Sequence, residues 1–230
     1  MADPIRYRDL THPRDPALGP ARRIYETTLD EDERIPWEWL ARTPQRRADW
    51  NPGQRRPHIV VAESDRVVGF GYGVFLPGYG GYVCYLGVGT GLFRFLFELI
   101  EAAARESGSP LPFVIWESHP PADPDLWAAR LRTFEKAGGL WVEGIDLLTP
   151  NYMREDAPPV GLQLFLRPYD EPAADFGADR LRAVATGLYQ QIYRLDPETD
   201  ALAVETLARA VNPRLAPAVN ALEVVRPDGE

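Results

Sequence analysis

Residues 82–104, YVCYLGVGTGLFRFLFELIEAAA, pass from an apolar β-rich run to an apolar helical run through three glycines, Gly87, Gly89 and Gly91. The helix is expected to begin where the strand ends. The first N–H groups of a helix have no intrahelical partner and carry the positive end of its dipole, so such a junction suits an anion or a carbonyl oxygen. Glycine lets a ligand approach the backbone closely. The competing reading is a tight strand-to-helix turn that uses glycine only for its geometry. After Gly91, residues Leu92, Phe95, Leu96, Leu99, Ile100 and Ala103 recur at helical spacing and predict a buried stripe, widened by Phe93 and Phe97. Arg94 and Glu98 stand at i,i+4 on the opposite face, where an ion pair contributes about 0.3 kcal/mol.

Upstream, Ile5 to Leu10 alternates and predicts a first strand. Asp15-Pro16 predicts a helix start for a segment through Tyr25 and Leu29, and Pro36 suits the first turn of a short helix carrying Trp37 and Leu40. From Thr43 to Pro57 the chain is polar, broken by proline and rich in arginine, and reads as a loop. Its arginines, with Arg42, form either a solvated face or a phosphate-meeting group. His58 to Glu63 and Arg66 to Leu76 flank the turn signal Ser64-Asp65 and predict a hairpin. Pro77 to Gly81 breaks the chain before the strand Tyr82 to Val88. Three strands joined by short turns imply an antiparallel meander.

Downstream, Phe113 to Trp116 is a short apolar run, expected as a buried strand parallel to Tyr82–Val88 because a helix connects them. Asp123-Pro124 opens a helix whose Trp127, Leu131 and Phe134 share a face, and Gly138-Gly139 stops it. Leu140 to Leu148 and Gly161 to Arg167 predict a closing antiparallel pair. Pro168 to Gly177 has linker composition, after which Leu181, Val184, Leu188, Ile192 and Leu195 predict one amphipathic helix, and Leu202, Leu207 and Val211 a second. Residues 212–230 show no clear pattern. The expected organisation is a domain over residues 1–169 and a linker with a C-terminal helical extension over 170–230.

The bulk properties narrow the function. A chain of 230 residues with 45% hydrophobic residues is long enough to bury a sizeable core. Its net charge of −9 argues against nucleic acid or an anionic membrane as partner and fits a cationic or amine-bearing substrate better. The single cysteine, Cys84, has no intramolecular disulfide partner, and no charged leader with an apolar core opens the sequence, so a cytoplasmic location is expected. The apolar run from Leu92 to Ala104 is interrupted by charges and too short to span a bilayer. His12, His58 and His119 lie far apart, without metal-ligand spacing. Cys84 sits within a strand and reads as core.

The order strand, helix, three antiparallel strands, helix, strand, helix, strand, strand resembles the GNAT superfamily of acyl-CoA-dependent N-acetyltransferases over about Ile5 to Arg167. Asp30 to Trp37 looks like the acidic Glu-Arg-x-Pro segment of some bacterial members, and Arg130 to Gly138, RLRTFEKAG, looks like the family's stretch before its sixth strand. The resemblance implies an α+β acyltransferase fold: a mixed, mostly antiparallel sheet with helices on both faces, splayed between the fourth and fifth strands. It implies acetyl-CoA as co-substrate, held by Leu86, Gly87 and Val88 along the pantetheine arm and by Gly89, Thr90 and Gly91 near the pyrophosphate. Backbone N–H groups there would stabilise an oxyanion as an amine attacks the thioester. The acceptor would be a small-molecule or protein amine, and the C-terminal helices could supply a homodimer surface.

Two departures from the family pattern bear on activity. Its loop of Arg/Gln-x-x-Gly-x-Gly/Ala is matched only by the final Gly89-Thr90-Gly91. Phe134 stands where the family often has a tyrosine that protonates the departing thiolate, and a phenyl ring has no proton to give. Tyr152 is the candidate replacement. Glu117, at the end of the strand after the glycine helix, is the candidate to orient or deprotonate the amine. These departures define an alternative, a catalytically degenerate ligand- or partner-binding protein. YLGVGTGLF also looks like the first motif of class I S-adenosylmethionine methyltransferases, with Glu117 where that family places a ribose-binding carboxylate. That match covers only Tyr82 to Ser118 and leaves the preceding meander unexplained.

Overall fold

The computed structural model describes residues 4–46, 54–87, 91–154, 156–210 and 212–223. They form two compact units, Met1–Leu111 with Asn151–Ala157, and Pro112–Pro150 with Pro158–Glu230.

The first unit contains the meander. Strands β1 (Arg6–Asp9), β2 (Arg56–Glu63), β3 (Val67–Leu76) and β4 (Gly80–Gly87) pair antiparallel in sequence order. The β2–β3 turn is closed by the Ser64 N–H donating to the Arg66 carbonyl at 2.9 Å, and the β3–β4 turn by the Tyr79 N–H donating to the Leu76 carbonyl at 3.0 Å. Gly78 takes φ +85° in the latter, a conformation that glycine adopts at little steric cost. Register slips between Tyr72 and Gly73, which pair with Tyr85 and Val83, so Cys84 is the extra residue of a bulge. Cys84 is buried, as expected of a free cysteine in a core.

Both faces of this sheet are covered. Helix α4 (Leu92–Ser107) lies over Gly71 and Gly73, whose added Cβ atoms would stand 3.0 and 3.2 Å from Leu96. Leu92, Leu96, Phe97, Ile100, Ala103 and Ala104 are buried along it, whereas Phe95 and Leu99 are only half-buried. Arg94 and Glu98 form the expected exposed pair at 2.9 Å. Gly108 ends the helix at φ +66°, the usual left-handed stop. On the opposite face, α1 (Leu18–Thr28) brings Tyr25 against Phe70 and Tyr85, and the short α2 (Trp37–Ala41) brings Trp37 to 5.6 Å from Phe70.

The polar segment 43–57 departs from the expected loop. Its ends are α3 (Thr43–Arg46) and the first residues of β2. Arg56, one of the arginines considered for phosphate, is buried on β2 and bonded to Glu106 at 2.7 Å.

The second unit is built on β5 (Phe113–Ser118), β6 (Leu140–Thr149), β7 (Val160–Pro168) and β8 (Arg214–Pro217), all antiparallel in the order β5-β7-β6-β8. Helix α5 (Pro124–Lys136) starts with Asp123 accepting from the N–H groups of Asp125 and Leu126. Its Trp127, Leu131 and Phe134 are buried, and Trp116, Phe134 and Phe165 stack with centroids 4.8 to 6.3 Å apart. The chain then continues through a short 3-10 turn, Ala173–Asp175, whose neighbour Phe176 packs on Phe113, into α6 (Ala178–Leu188). The single helix expected from Leu181 to Leu195 is interrupted: residues Tyr189–Tyr193 form a π turn, and Arg194 takes a left-handed conformation. Helix α7 (Ala201–Arg209) follows, capped by Asp200. Strand β8 comes from the segment without a sequence pattern, and it pairs with the first half of β6.

The two glycines that stop α5 do different things. Gly138 takes φ +80°, while a Cβ on Gly139 would lie 2.4 Å from Trp116 and 2.8 Å from the Phe134 carbonyl oxygen. Gly138→Ala is therefore expected to lose about 1 kcal/mol by backbone strain, and Gly139→Ala about 3 kcal/mol by overpacking against a rigid ring. Chemical denaturation measures both. Equal midpoints for wild type and Gly139→Ala would contradict this packing.

Candidate active site

The β4 end carries part of the expected acyl-donor site. Leu86, Gly87 and Gly91 are described, whereas Val88, Gly89 and Thr90 lie outside the described residues. Gly87 pairs with Phe70 of β3, and a Cβ there would stand 2.6 Å from Thr28 Oγ1 and 3.0 Å from Ile24 of α1. A Cβ on Gly91 would fall 2.2 Å from the Tyr7 hydroxyl. At both positions the missing side chain makes room for another part of the protein: α1 at Gly87, and the Tyr7 ring, 5.9 Å from Phe95, at Gly91. Any ligand at these residues must meet the backbone from another direction than the Cβ side.

Tyr152 lines a cavity of about 330 Å³ in the first unit, together with Tyr25, Ile35, Pro36, Trp37 and Met153. Asn151 sets this corner by accepting from the N–H groups of Met153 and Arg154 at 3.2 and 2.9 Å. The Tyr152 ring meets Trp39 edge-on at 5.3 Å. Tyr25 forms the floor. Its hydroxyl donates to the Ile35 carbonyl at 2.8 Å and accepts from the Ile35 N–H at 2.9 Å. Burial pushes the Tyr25 phenol above its ordinary range, with its hydrogen bonds acting the other way. Charged groups line the same cavity: Arg22 holds Glu26 at 2.7 Å and stands 3.9 Å from Glu38, and Arg34 donates to the Asp30 carbonyl. An apolar aromatic floor with a mixed-charge lining suits a small organic molecule.

Glu117 belongs to the second unit. On β5 its side chain alternates with Trp116, so it lies on the sheet face opposite the Trp116–Phe134–Phe165 stack, and it is half-buried. Tyr193, from the π turn, donates its hydroxyl proton to Glu117 Oε1. Tyr189, one turn earlier, donates to the Leu148 carbonyl of β6 at 2.8 Å. Its phenol is raised above the usual range chiefly by burial, with Thr206 acting against this and with the negative charges of Glu117, Asp200 and Glu205 adding to it. Beside Glu117, Arg130 of α5 donates to Ser118 Oγ at 2.9 Å and to the His119 carbonyl at 3.1 Å.

Tyr193 was not among the residues expected from sequence. The available signal was a pair of tyrosines four residues apart, Tyr189 and Tyr193, on a helix otherwise read as merely amphipathic. Phe134 is closed into the core stack.

Other features offer less chemistry. An open depression of about 710 Å³ borders Arg8, Arg23 and Glu63, and it contains none of the expected site residues. Arg8 there is bonded to Asp15 and, at 2.8 Å, to Glu63, and the Asp15 carboxyl is held below its ordinary range by the Arg8 hydrogen bond. Asp30, Asp32 and Glu33 bring carboxylates within 4.8 Å of one another on a short surface turn. Among the described residues, no helix is long and apolar enough to cross a membrane.

No protein-family model matches the chain, and no curated protein matches it. Among solved structures it is similar to a protein from Bacteroides thetaiotaomicron assigned to the GNAT family of acetyltransferases. The identity is 14%, the alignment covers 83% of this chain and 99% of that one, and the TM-score is 0.55. A protein from Acinetobacter baylyi assigned as an acetyltransferase aligns at 14% identity over 75% of this chain and 97% of that one, with a TM-score of 0.49. The first likeness shows the fold: the chain has a GNAT-like α+β acyltransferase fold. At this identity the likeness concerns architecture, and the reaction has to be argued from the site.

The Tyr25 clamp is open to a direct test. Tyr25→Phe removes both bonds to Ile35 and is expected to lose about 1–3 kcal/mol at neutral pH. Because the folded state holds the phenolic proton more tightly than the unfolded chain, the Tyr25 contribution is complete below about pH 10 and falls as pH rises through the folded value. Denaturation at neutral and at alkaline pH should therefore show the gap between wild type and Tyr25→Phe narrowing above about pH 10. A gap that stays constant would contradict the buried neutral phenol.

Proposed function

We propose that this protein is an N-acetyltransferase that moves an acetyl group from acetyl-CoA to an amine. The observation that carries the reading is the acyltransferase fold, shared with an assigned acetyltransferase over 99% of that protein. Acetyl-CoA supplies an activated acyl group as a thioester. In this reading backbone groups at Leu86, Gly87 and Val88 hold the pantetheine arm and thioester, and Gly89, Thr90 and Gly91 serve the pyrophosphate. The residues at Gly87 and Gly91 fit this only through their backbone, since Thr28 and Tyr7 fill the space beside them.

The acceptor in this reading is a small-molecule or protein amine. Glu117 takes the amine proton, directly or through water. The neutral nitrogen attacks the thioester carbonyl and gives its second proton to water, the carbon–sulfur bond breaks, and the thiolate takes a proton. Tyr152 is the proposed donor of that proton, because Phe134 has none to give.

The burial of Phe134 is the specific observation that favours the second reading, a GNAT-like protein that binds a ligand or partner without turnover. The methyltransferase reading loses ground, because β2, β3 and β4 pair antiparallel where that family's first motif sits in a parallel doubly wound sheet.

Thermal unfolding separates these readings. Acetyl-CoA at roughly 100 times its Kd should stabilise the protein by about 2.7 kcal/mol, a rise of several degrees, while S-adenosylmethionine should leave the midpoint unchanged. A shift with S-adenosylmethionine alone would overturn the acetyltransferase reading. No shift with either would leave a partner-binding role in its place.

A further inference from the structure

We infer that Tyr193 is a positioning residue for Glu117, and that the π turn Tyr189–Tyr193 serves to deliver it. The inference rests on the proposed role of Glu117 in acetyl transfer and adds to it a residue outside the strands and helices of the expected acyltransferase domain.

Three observations converge on it. First, the hydroxyl is aimed at a charge. Tyr193 is 3% exposed, and its O–H donates to Glu117 Oε1, a charge-assisted bond of the stronger kind. A phenylalanine would fill nearly the same volume, so packing alone does not call for the hydroxyl. Second, the backbone departs from regular helix at this point. The chain leaves α6 through a π turn in which the Arg194 N–H donates to the Tyr189 carbonyl, and the Leu195 N–H donates to the same oxygen at 3.0 Å. Arg194 then holds φ +59° and ψ +33°, and it is the sole non-glycine residue at positive φ among those described. Each irregularity opposes stability by an amount that regular helix would not, and such features concentrate at functional sites. Third, the turn is anchored at its other end. The Tyr189 hydroxyl donates to the Leu148 carbonyl, and the two tyrosine rings lie 6.0 Å apart. Tyr193 therefore approaches Glu117 from a fixed base.

The hydroxyl also bears on the charge state of Glu117. The negative charges that act on neighbouring Tyr189 are Glu117, Asp200 and Glu205, Arg194 lies at the end of the π turn, and Arg130 on α5 donates to Ser118 and the His119 carbonyl. Like charges favour protonation of a carboxylate, which would disable it as a base, whereas a hydrogen bond donated to the ionised form favours ionisation. The Tyr193 hydroxyl supplies that bond and fixes one carboxylate oxygen in place.

The test compares wild type, Tyr193→Phe, Glu117→Gln and Tyr189→Phe. It uses the pH dependence of acetyl transfer from acetyl-CoA to a panel of primary amines, and 13C NMR of the Glu117 carboxylate with Glu117→Gln as the assignment control. Tyr193→Phe should lower kcat roughly tenfold with KM nearly unchanged, and should move the acidic limb and the carboxylate titration to higher pH. Tyr189→Phe removes a hydroxyl that meets the Leu148 carbonyl and Thr206 and leaves the Tyr193–Glu117 bond in place. It should lower thermal stability and move the limb less than Tyr193→Phe does. If wild type transfers acetyl groups and Tyr193→Phe matches it in kcat and in carboxylate titration, the positioning role is overturned and the acetyltransferase reading stands. If wild type transfers acetyl to no amine, the reading itself fails, and the role argued for Tyr193 fails with it.

Discussion

A single buried phenol governs the shape of the first unit's cavity. Tyr25 both gives a hydrogen bond to Ile35 and receives one from it, so the chain leaving α1 is tied back onto that helix at one backbone residue. The ring beneath this clamp contacts Trp37, Phe70 and Tyr85 within 5.2 to 5.6 Å, which joins the α1–α2 connection to β3 and β4. A polar group this deep is tolerated because its hydrogen bonds are made within the protein. Without the clamp, the segment carrying Arg34, Ile35 and Pro36 would lose its fixed path, and the wall it forms beside Trp37 and Tyr152 would go with it.

The second unit relies on a different constraint, the close approach permitted by Gly139. With no Cβ there, the Trp116 ring moves against the end of α5 and stacks with Phe134 and Phe165. The alternation of a strand then fixes the opposite side: once Trp116 is locked into one face of β5, Glu117 must point to the other. The proposed base is thus oriented by the packing of its neighbour, and Tyr193 completes the arrangement from the far face.

Elements with strong local signals were legible in the sequence. The β2–β3–β4 meander, the buried stripe of α4, the Asp123 cap of α5 and the β6–β7 pair all declare themselves through alternation, helical spacing or turn residues. What was illegible depends on partners distant in the chain. Strand β8 is four residues whose extended form is supported by a ladder to β6, some seventy residues away, and α3 is a single turn in a segment too polar to show periodicity. The π turn is hidden for a related reason: Tyr189 and Tyr193 read as ordinary helical neighbours, and only their bonds to Leu148 and Glu117 show why the helix loosens there. In the candidate site, Glu117 stood out as the carboxylate at the end of the strand after the glycine helix, and the structure adds its half-burial and its bond from Tyr193. The glycines were readable as a junction, but sequence does not reveal that Thr28 and Tyr7 occupy the space beside Gly87 and Gly91. Arg56 likewise reads as a loop cation until Glu106 is placed beside it.

The proposed reaction requires that an amine cleave a thioester. Incubating the purified protein with acetyl-CoA and a panel of small primary amines, while following free coenzyme A thiol and the mass of each amine, addresses this directly. Acetyl transfer predicts thiol release that depends on an amine and is matched by an acetylated product of that amine. Binding of acetyl-CoA with no amine-dependent thiol release across the panel would contradict it and identify a fold that has kept its ligand and lost its reaction.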